Sequence, residues 1–311
     1  MQIFSLALVI VGLCFFETIS SIDNAIINAE VLGTLQKKGR RWFLSWGLII
    51  AVFVVRGILP WIIVWAFNPT LGPIGAFTAA FSNDPAVKNS IERSAPILLM
   101  AGGVFLLFLF LYWLFLEDKH FGLPRTEKFF LSKGAWFYAL ASILLAAAVW
   151  YALKIDQMIA FGAVIGSTVF FITHGFKQNA EAQEEGLLKK GRSDISKLLY
   201  LEVIDAIFSI DGVLGAFAFT LSVPLILIGN GLGALVVRQL TLGNIERIKK
   251  YIYLKNGAMY SILFLGIIMV CDSFGILLPE WLSPAITFGT VGFFFWKSHR
   301  HLRRTELATV L

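Results

Sequence analysis

Two cysteines and four histidines are all that the sequence offers to a soft metal. Cys14 and Cys271 each sit in an apolar run, so no disulfide framework and no zinc site is expected. Each reads as a small buried hydrophobe. Charge is scarce too: Asp, Glu, Lys and Arg make up 15% of the 311 residues, against roughly 25% in soluble domains. That excludes a disordered chain, an ordinary soluble enzyme and a nucleic-acid-binding module. Period-two alternation is missing, which argues against strands. Neither H-E-x-x-H, G-x-S-x-G, a phosphate-binding G-x-x-x-x-G-K-[ST] nor an Asp-Asp pair occurs. An intramembrane enzyme or an ATP-driven pump is therefore not expected.

Apolar surface dominates instead. Hydrophobic residues reach 58%, with 29 Phe and 9 Trp, and the mean hydropathy is +0.78. Only an apolar solvent accommodates so much of it, so the chain reads as an all-α polytopic membrane protein, with the lipid bilayer as its main partner. Nine segments are apolar enough for spans, with seven as the lower bound: 3–29, 43–67, 96–116, 134–153, 158–176, 196–220, 223–240, 256–276 and 284–298. The first is expected to be retained, because it lacks a basic start and a small-residue cleavage site, and Glu17 interrupts it.

The basic residues set the orientation. Most of the 26 fall in alternate loops and the tail. Lys37, Lys38, Arg40 and Arg41 follow the first segment, and Lys297, Arg300, Arg303 and Arg304 follow the last. The opposite loops hold only Lys88, Arg93 and Lys154. The positive-inside rule then places the N-terminus outside and the C-terminus in the cytoplasm, as in a bacterial inner membrane. It also accounts for the net charge of +6 without nucleic acid. The loop 68–95, punctuated by Pro69, Gly72, Pro73 and Gly75, is expected to lie in the interface or re-enter. The stretch 177–195 reads as a solvated helical linker.

Five carboxylates fall inside predicted spans: Glu17, Asp23, Glu202, Asp205 and Asp211, with Asp272 near a span end. An Asp at a helix centre costs about 2.5–3.5 kcal/mol on insertion, so five unpaired would cost on the order of 12–17 kcal/mol. Intramembrane acids at that cost mark a functional site. Their spacing repeats. Glu17-Thr-Ile-Ser-Ser-Ile-Asp23-Asn24 and Asp205-Ala-Ile-Phe-Ser-Ile-Asp211-Gly212 share acid, Ile, Ser, Ile and Asp at an offset of 188 residues. The first copy runs inward and the second outward, the arrangement of inverted-repeat transporters. The chain is thus expected to form one membrane domain over 1–311. Its first repeat is 1–116 with motif helix 3–29, and connecting helices and a cytoplasmic linker occupy 117–195. The second repeat is 196–299 with motif helix 196–220.

By depth, Glu17 should lie near Asp211 and Asp23 near Asp205. Six residues turn a straight helix through about 600°, so the two acids of one copy do not share a face. Either each helix unwinds at its motif or Asp23 and Asp211 face other partners. Metal ligands expected from this pattern are Glu17, Asp23, Asn24, Asp205 and Asp211, supported by Ser21, Ser209, Glu202 and Arg56. Carboxylate, hydroxyl and amide oxygens are hard donors and suit manganese, calcium or magnesium. Arg56 is too deep to snorkel and is expected to pair with the acids. Arg238, near a span end, is expected to reach for headgroups. His174 reads as a polar residue at a helix end. Gly102, Gly103, Gly162, Gly166 and the run Gly229-x-Gly231-x-Gly233 read as helix-packing positions.

The two motifs resemble those of the TerC family of integral membrane proteins, within the lysine-exporter superfamily. There an acid precedes an Asp-Asn pair in the first helix, as do Glu17, Asp23 and Asn24. A later helix carries Asp-x-x-Phe-x-x-Asp, as do Asp205, Phe208 and Asp211. The chain departs from that family in having nine segments rather than about seven, and Gly212 where Ser is common. The resemblance implies a metal-ion exporter, most often for manganese. The expected function is a secondary transporter exporting a divalent cation, manganese before calcium or magnesium, by exchange with protons and without a prosthetic group. Export of a small organic cation or amino acid, or a scaffold that assists insertion or metallation of other membrane proteins, are the alternatives.

Overall fold

The computed structural model describes residues 2–47, 49–50, 56–79, 85–117, 126–188, 193–243, 248, 250–276 and 278–310. Every regular element among them is helical. Among the described residues, five helices are long and apolar enough to cross a bilayer: Glu92–Phe115, Ala135–Ala152, Gln157–Asn179, Val223–Thr241 and Leu254–Ser273. Counting one bent pair as a span makes six. The fold is therefore consistent with a polytopic membrane protein. The described residues of the other predicted segments are helical as well, in stretches that are shorter, broken or more charged. The chain divides into two compact units, Met1–Ala95 with Val169–Ile245 and Pro96–Thr168 with Glu246–Leu311. This division cuts across the two repeats expected from the sequence.

The first unit opens with α1 (Gln2–Ser20) and α2 (Ile22–Thr34), separated at Ser21. Around the break, Thr18 Oγ1 donates to the Cys14 carbonyl and Ser20 Oγ to that of Glu17. Ser21 takes φ −90° and ψ 8°, the bridge region between helix and strand. Backbone bonds from Ser21 N to Glu17 O and from Ala25 N to Ser21 O still span the break, so the hydrogen-bond ladder continues across it. After α3 (Lys37–Trp42) comes a π-helical turn, Phe43–Gly47, then α4 (Leu59–Phe67) and α5 (Gly72–Ala79). A single-turn 3-10 segment, Pro69–Leu71, joins α4 to α5. Stretches 56–67 and 69–76 meet at 104°, the geometry of a broken span or of a re-entrant loop. Of predicted segment 43–67, residues 48 and 51–55 lie outside the described residues.

Helices α6 (Pro85–Phe115), α7 (Thr126–Leu131), α8 (Ala135–Ala152) and α9 (Gln157–Leu188) follow. The expected linker thus starts as a continuation of α9, and residues 189–192 lie outside the described residues. Helix α10 (Asp194–Ala216) is started by Ser193, whose Oγ accepts from Ser196 N at 3.2 Å. It runs unbroken through Asp211-Gly212, so unwinding at the motif does not occur here. Helix α11 (Val223–Gly243) closes the unit.

Helix α10 lies antiparallel to α1 and α2, as successive contacts show. Phe219 and Gly215 meet Phe16, Gly212 meets Glu17, Lys197 meets Thr34, and Asp194 meets Gln36. Residues that pair in this way have numbers that sum to about 230 throughout. Helix α11 runs parallel to α1 at close range. A Cβ on Gly229 would lie 2.4 Å from Leu13 Cβ, and one on Gly233 would lie 2.7 Å from the Cys14 carbonyl oxygen. Only glycine lets these backbones approach so closely. Val31, Leu32, Leu35, Phe43 and Leu201 pack into a buried cluster below the break.

In the second unit, α12 (Leu254–Ser273) and α13 (Leu282–Val310) pack together. Cβ atoms on Gly162 and Gly166 would lie 2.6 Å and 2.1 Å from the carbonyl oxygens of Ile97 and Ala101. Gly103 and Gly266 abut in the same manner. Asp272 is used locally, accepting from Leu278 N at 2.9 Å beyond the end of α12.

Candidate functional site

The break between α1 and α2 leaves Glu17 one turn from the end of α1, aimed into the first unit. It is fully buried. Its Oε1 accepts three hydrogen bonds: from Ser21 Oγ at 2.9 Å, from Arg56 Nε at 3.0 Å and from Arg56 Nη2 at 2.6 Å. Its Oε2 is buried and accepts none. That oxygen faces Gly212, where a Cβ would stand 2.3 Å from it.

Arg56 is 2% exposed. Its Nη1 lies 3.6 Å from Asp205 Oδ2, so one guanidinium joins a carboxylate of the first motif to one of the second. The expectation that Arg56 pairs with the acids holds. The geometry is a buried anion–cation–anion triad across α1, the segment before α4, and α10. Ser209, one turn beyond Asp205, donates to the Asp205 carbonyl at 2.6 Å rather than to a carboxylate. Ser21, by contrast, is bound directly to Glu17.

Asp211 is half-buried, and its charged neighbours are Lys177 and Glu17. Glu17 thus lies beside the Asp211-Gly212 pair, the depth match expected of antiparallel helices. Asp23 and Asn24 are placed on α2, but their side chains lie outside the described residues, as does that of Phe208. The register of α10 puts the backbone of residue 23 level with the turn that follows Asp205.

A second ion pair lies one turn before Asp205. Glu202 Oε1 is 3.8 Å from Arg238 Nη2, and neither oxygen of Glu202 accepts a hydrogen bond. Arg238 donates to the Phe43 carbonyl at 2.8 Å, and its guanidinium carbon lies 3.8 Å over the Phe43 ring. Snorkelling, the sequence expectation for Arg238, is replaced by this buried arrangement. The reason is the π-helical turn, which presents Phe43 and Gly47 to the arginine. A Cβ on Gly47 would fall 2.2 Å from Glu202 Oε1 and 2.8 Å from Arg238 Nη2. Asp205 is electrostatically linked to Arg56 and Arg238 alike, so the two pairs form one chain of alternating charge.

Two contributors, Asn230 and Gly233, lie outside the motifs. Asn230 of α11 is fully buried; its Nδ2 donates to the Gly212 carbonyl at 3.4 Å and its Oδ1 has no partner. Gly233 lets α11 pass Glu17, and Gly212 makes room for Oε2. An Asn in an apolar helix was the available signal for the first. His174 stacks on Phe170 at 5.5 Å and lies on α9. Among the described residues, no three His, Cys, Asp or Glu side chains gather as a ready metal cage.

Helices of membrane-crossing length among the described residues, with a buried network of alternating charge in the first unit, fit one class of chain: a multi-pass membrane protein. Its residues 22–305 match the family described as protein of unknown function, DUF475, and the chain belongs to that family. No curated protein and no solved structure matches the chain significantly.

Proposed function

We propose that the chain is a TerC-like secondary transporter that exports a divalent cation, manganese first, from the cytoplasm by exchange with protons. One observation carries the reading: Glu17 and Asp205, the leading acids of the two motifs, converge on one buried guanidinium while Glu17 Oε2 stays unpaired beside Gly212. Arg56 supplies the positive charge these acids require, since two buried carboxylates without a counter-ion would be prohibitively costly. An entering dication would take over Glu17 and Asp205, with Asp23, Asn24 and Asp211 completing a hard oxygen shell. Glu202 and Arg238 would form the inner mouth, with Ser21 orienting Glu17 and Ser209 holding the backbone at Asp205. The proposal includes nine spans related by an inverted repeat, an external N-terminus, a cytoplasmic C-terminus and a place in a bacterial inner membrane.

The test is Mn²⁺ flux into proteoliposomes with a pH gradient on and off. Wild type should transport, while Asp205→Asn and Glu17→Gln should reach the membrane folded and carry little. Wild-type rates in both variants would overturn the site. A second reading, export of an amino acid or organic cation, is favoured by the fixed guanidinium beside two carboxylates, which complements a zwitterion. Amino-acid flux that Mn²⁺ does not inhibit would select it. No flux of either kind by folded protein would select the scaffold function.

A further inference from the structure

A cavity of about 290 Å³ lies against the C-terminal half of α13, in the second unit. Its aromatic wall is Tyr253, Phe293 and Trp296, and its polar wall is Lys297, Arg300, His301 and Arg304. None of these lining residues is acidic. The four basic positions follow the i, i+3, i+4, i+7 pattern, so they form one face of the helix. Rings hold the cations in place. Lys297 Nζ lies 4.6 Å from the centre of the Tyr253 ring, and the Arg300 guanidinium lies 5.6 Å from that of Trp296. Tyr253 is itself fixed, because its N–H donates to the buried Ser298 Oγ at 2.9 Å.

The same helix changes character at this point. Phe293, Phe295 and Trp296 stand about half exposed, as suits lipid contact, and the next turns are basic. Such a switch from exposed aromatics to cations occurs at the level of the lipid headgroups. The volume falls just short of the ~300–1,000 Å³ typical of sites that engulf a whole small ligand, so it suits a headgroup whose tails stay outside. We propose that this cavity binds the phosphate of an anionic phospholipid, with Arg300 and Arg304 on the phosphate oxygens, Lys297 between ring and headgroup, and the acyl chains along Phe293 and Trp296. The site rests on the multi-pass reading of the chain and is independent of what the carboxylate cluster carries.

Recovery of the full-length protein from the membrane fraction checks the multi-pass reading first. Native mass spectrometry in detergent then tests the site, by titration with phosphatidylglycerol or with phosphatidylcholine of the same acyl chains. Each basic side chain at headgroup level is worth about fivefold, so wild type should favour the anionic lipid by roughly a hundredfold. K297Q/R300Q/R304Q should lose most of that preference. R300Q/R304Q changes only exposed residues and should lose roughly 25-fold. K37Q/K38Q/R41Q, which removes the same charge from exposed positions of the first unit, should behave as wild type. Equal retention of the two lipids by wild type, or an equal loss in the control triple, would overturn the proposal. Displacement of the lipid by an equal concentration of inorganic phosphate would overturn it too, in favour of a soluble anion.

Discussion

Removing Arg56 should destabilise the protein more than removing Arg56 and Glu17 together. At 2.6 Å and an effective dielectric of about 20, the attraction between the two groups is on the order of 6 kcal/mol. Asp205 at 3.6 Å adds on the order of 4–5 kcal/mol. Desolvation of each ion costs several kcal/mol, so the assembled triad contributes little net stability. Losing one partner is different. Arg56→Met leaves two anions facing each other in a buried site and should cost about 3–5 kcal/mol, toward the upper end. Glu17→Gln leaves Asp205 as a partner for Arg56 and keeps an acceptor oxygen, so about 1–3 kcal/mol is expected. The double variant should recover much of the loss, with a coupling energy of roughly 2 kcal/mol or more. Reversible unfolding in mixed micelles, followed by helicity, measures all four corners of the cycle. If Arg56→Met costs less than about 1 kcal/mol, or if the two changes add within about 0.5 kcal/mol, the triad is not the coupled unit described here.

The glycine contacts give graded expectations in the same assay. Gly233→Ala sets a Cβ 2.6 Å from Glu17 Cβ and 2.7 Å from a carbonyl oxygen, so α1 and α11 must separate at a cost of about 1–3 kcal/mol or more. Gly212→Ala meets only the end of the Glu17 side chain and should cost less than Gly233→Ala; the reverse order would show that Glu17 cannot turn. Gly166→Ala in the second unit drives a Cβ to 2.1 Å from the Ala101 carbonyl and should cost at least about 2 kcal/mol, and a neutral result would refute the close crossing of α6 and α9. Lys255 and Glu117 also pair, but each is about one-third exposed. Lys255→Gln should therefore change stability by less than about 1 kcal/mol, and a larger loss would mean that this pair is far better shielded than its exposure indicates.

The helices were legible in the sequence because long apolar runs leave the backbone no other way to satisfy its hydrogen bonds. Segments at 134–153, 223–240 and 256–276 differ from α8, α11 and α12 by no more than three residues at either end. What lies between the runs was less legible. The π-helical turn at Phe43–Gly47 has no compositional mark, and it turns Arg238 from a snorkelling residue into a buried partner of Glu202. Likewise, Ser20-Ser21 and Asp211-Gly212 look equally unfavourable to a helix. Only the first breaks, at Ser21, whose hydroxyl donates to the Glu17 carboxylate, whereas at the second Asn230 Nδ2 donates to the Gly212 carbonyl. The pairing of Arg56 was readable from its depth. Its choice of Glu17 and Asp205 together depends on the register of α10 against α1, which residues close in sequence do not determine.

That register makes the two motif copies unequal despite their matching letters. In the antiparallel pair, the position after the second acid of one copy comes opposite the first acid of the other. Gly212 occupies that position in the second copy, and the missing side chain is what lets Glu17 Oε2 sit there. In the first copy the corresponding residue is Asn24, a side chain with both donor and acceptor. The break at Ser21 lies between Glu17 and Asn24, while α10 runs uninterrupted from Asp205 to Gly212. The second copy thus carries Asp205 and Asp211 on one uninterrupted helix, whereas residues 17 and 23 of the first lie on α1 and α2, either side of Ser21. Ser21, the residue that separates α1 from α2, donates its hydroxyl to the same Glu17 carboxylate oxygen that accepts from Arg56.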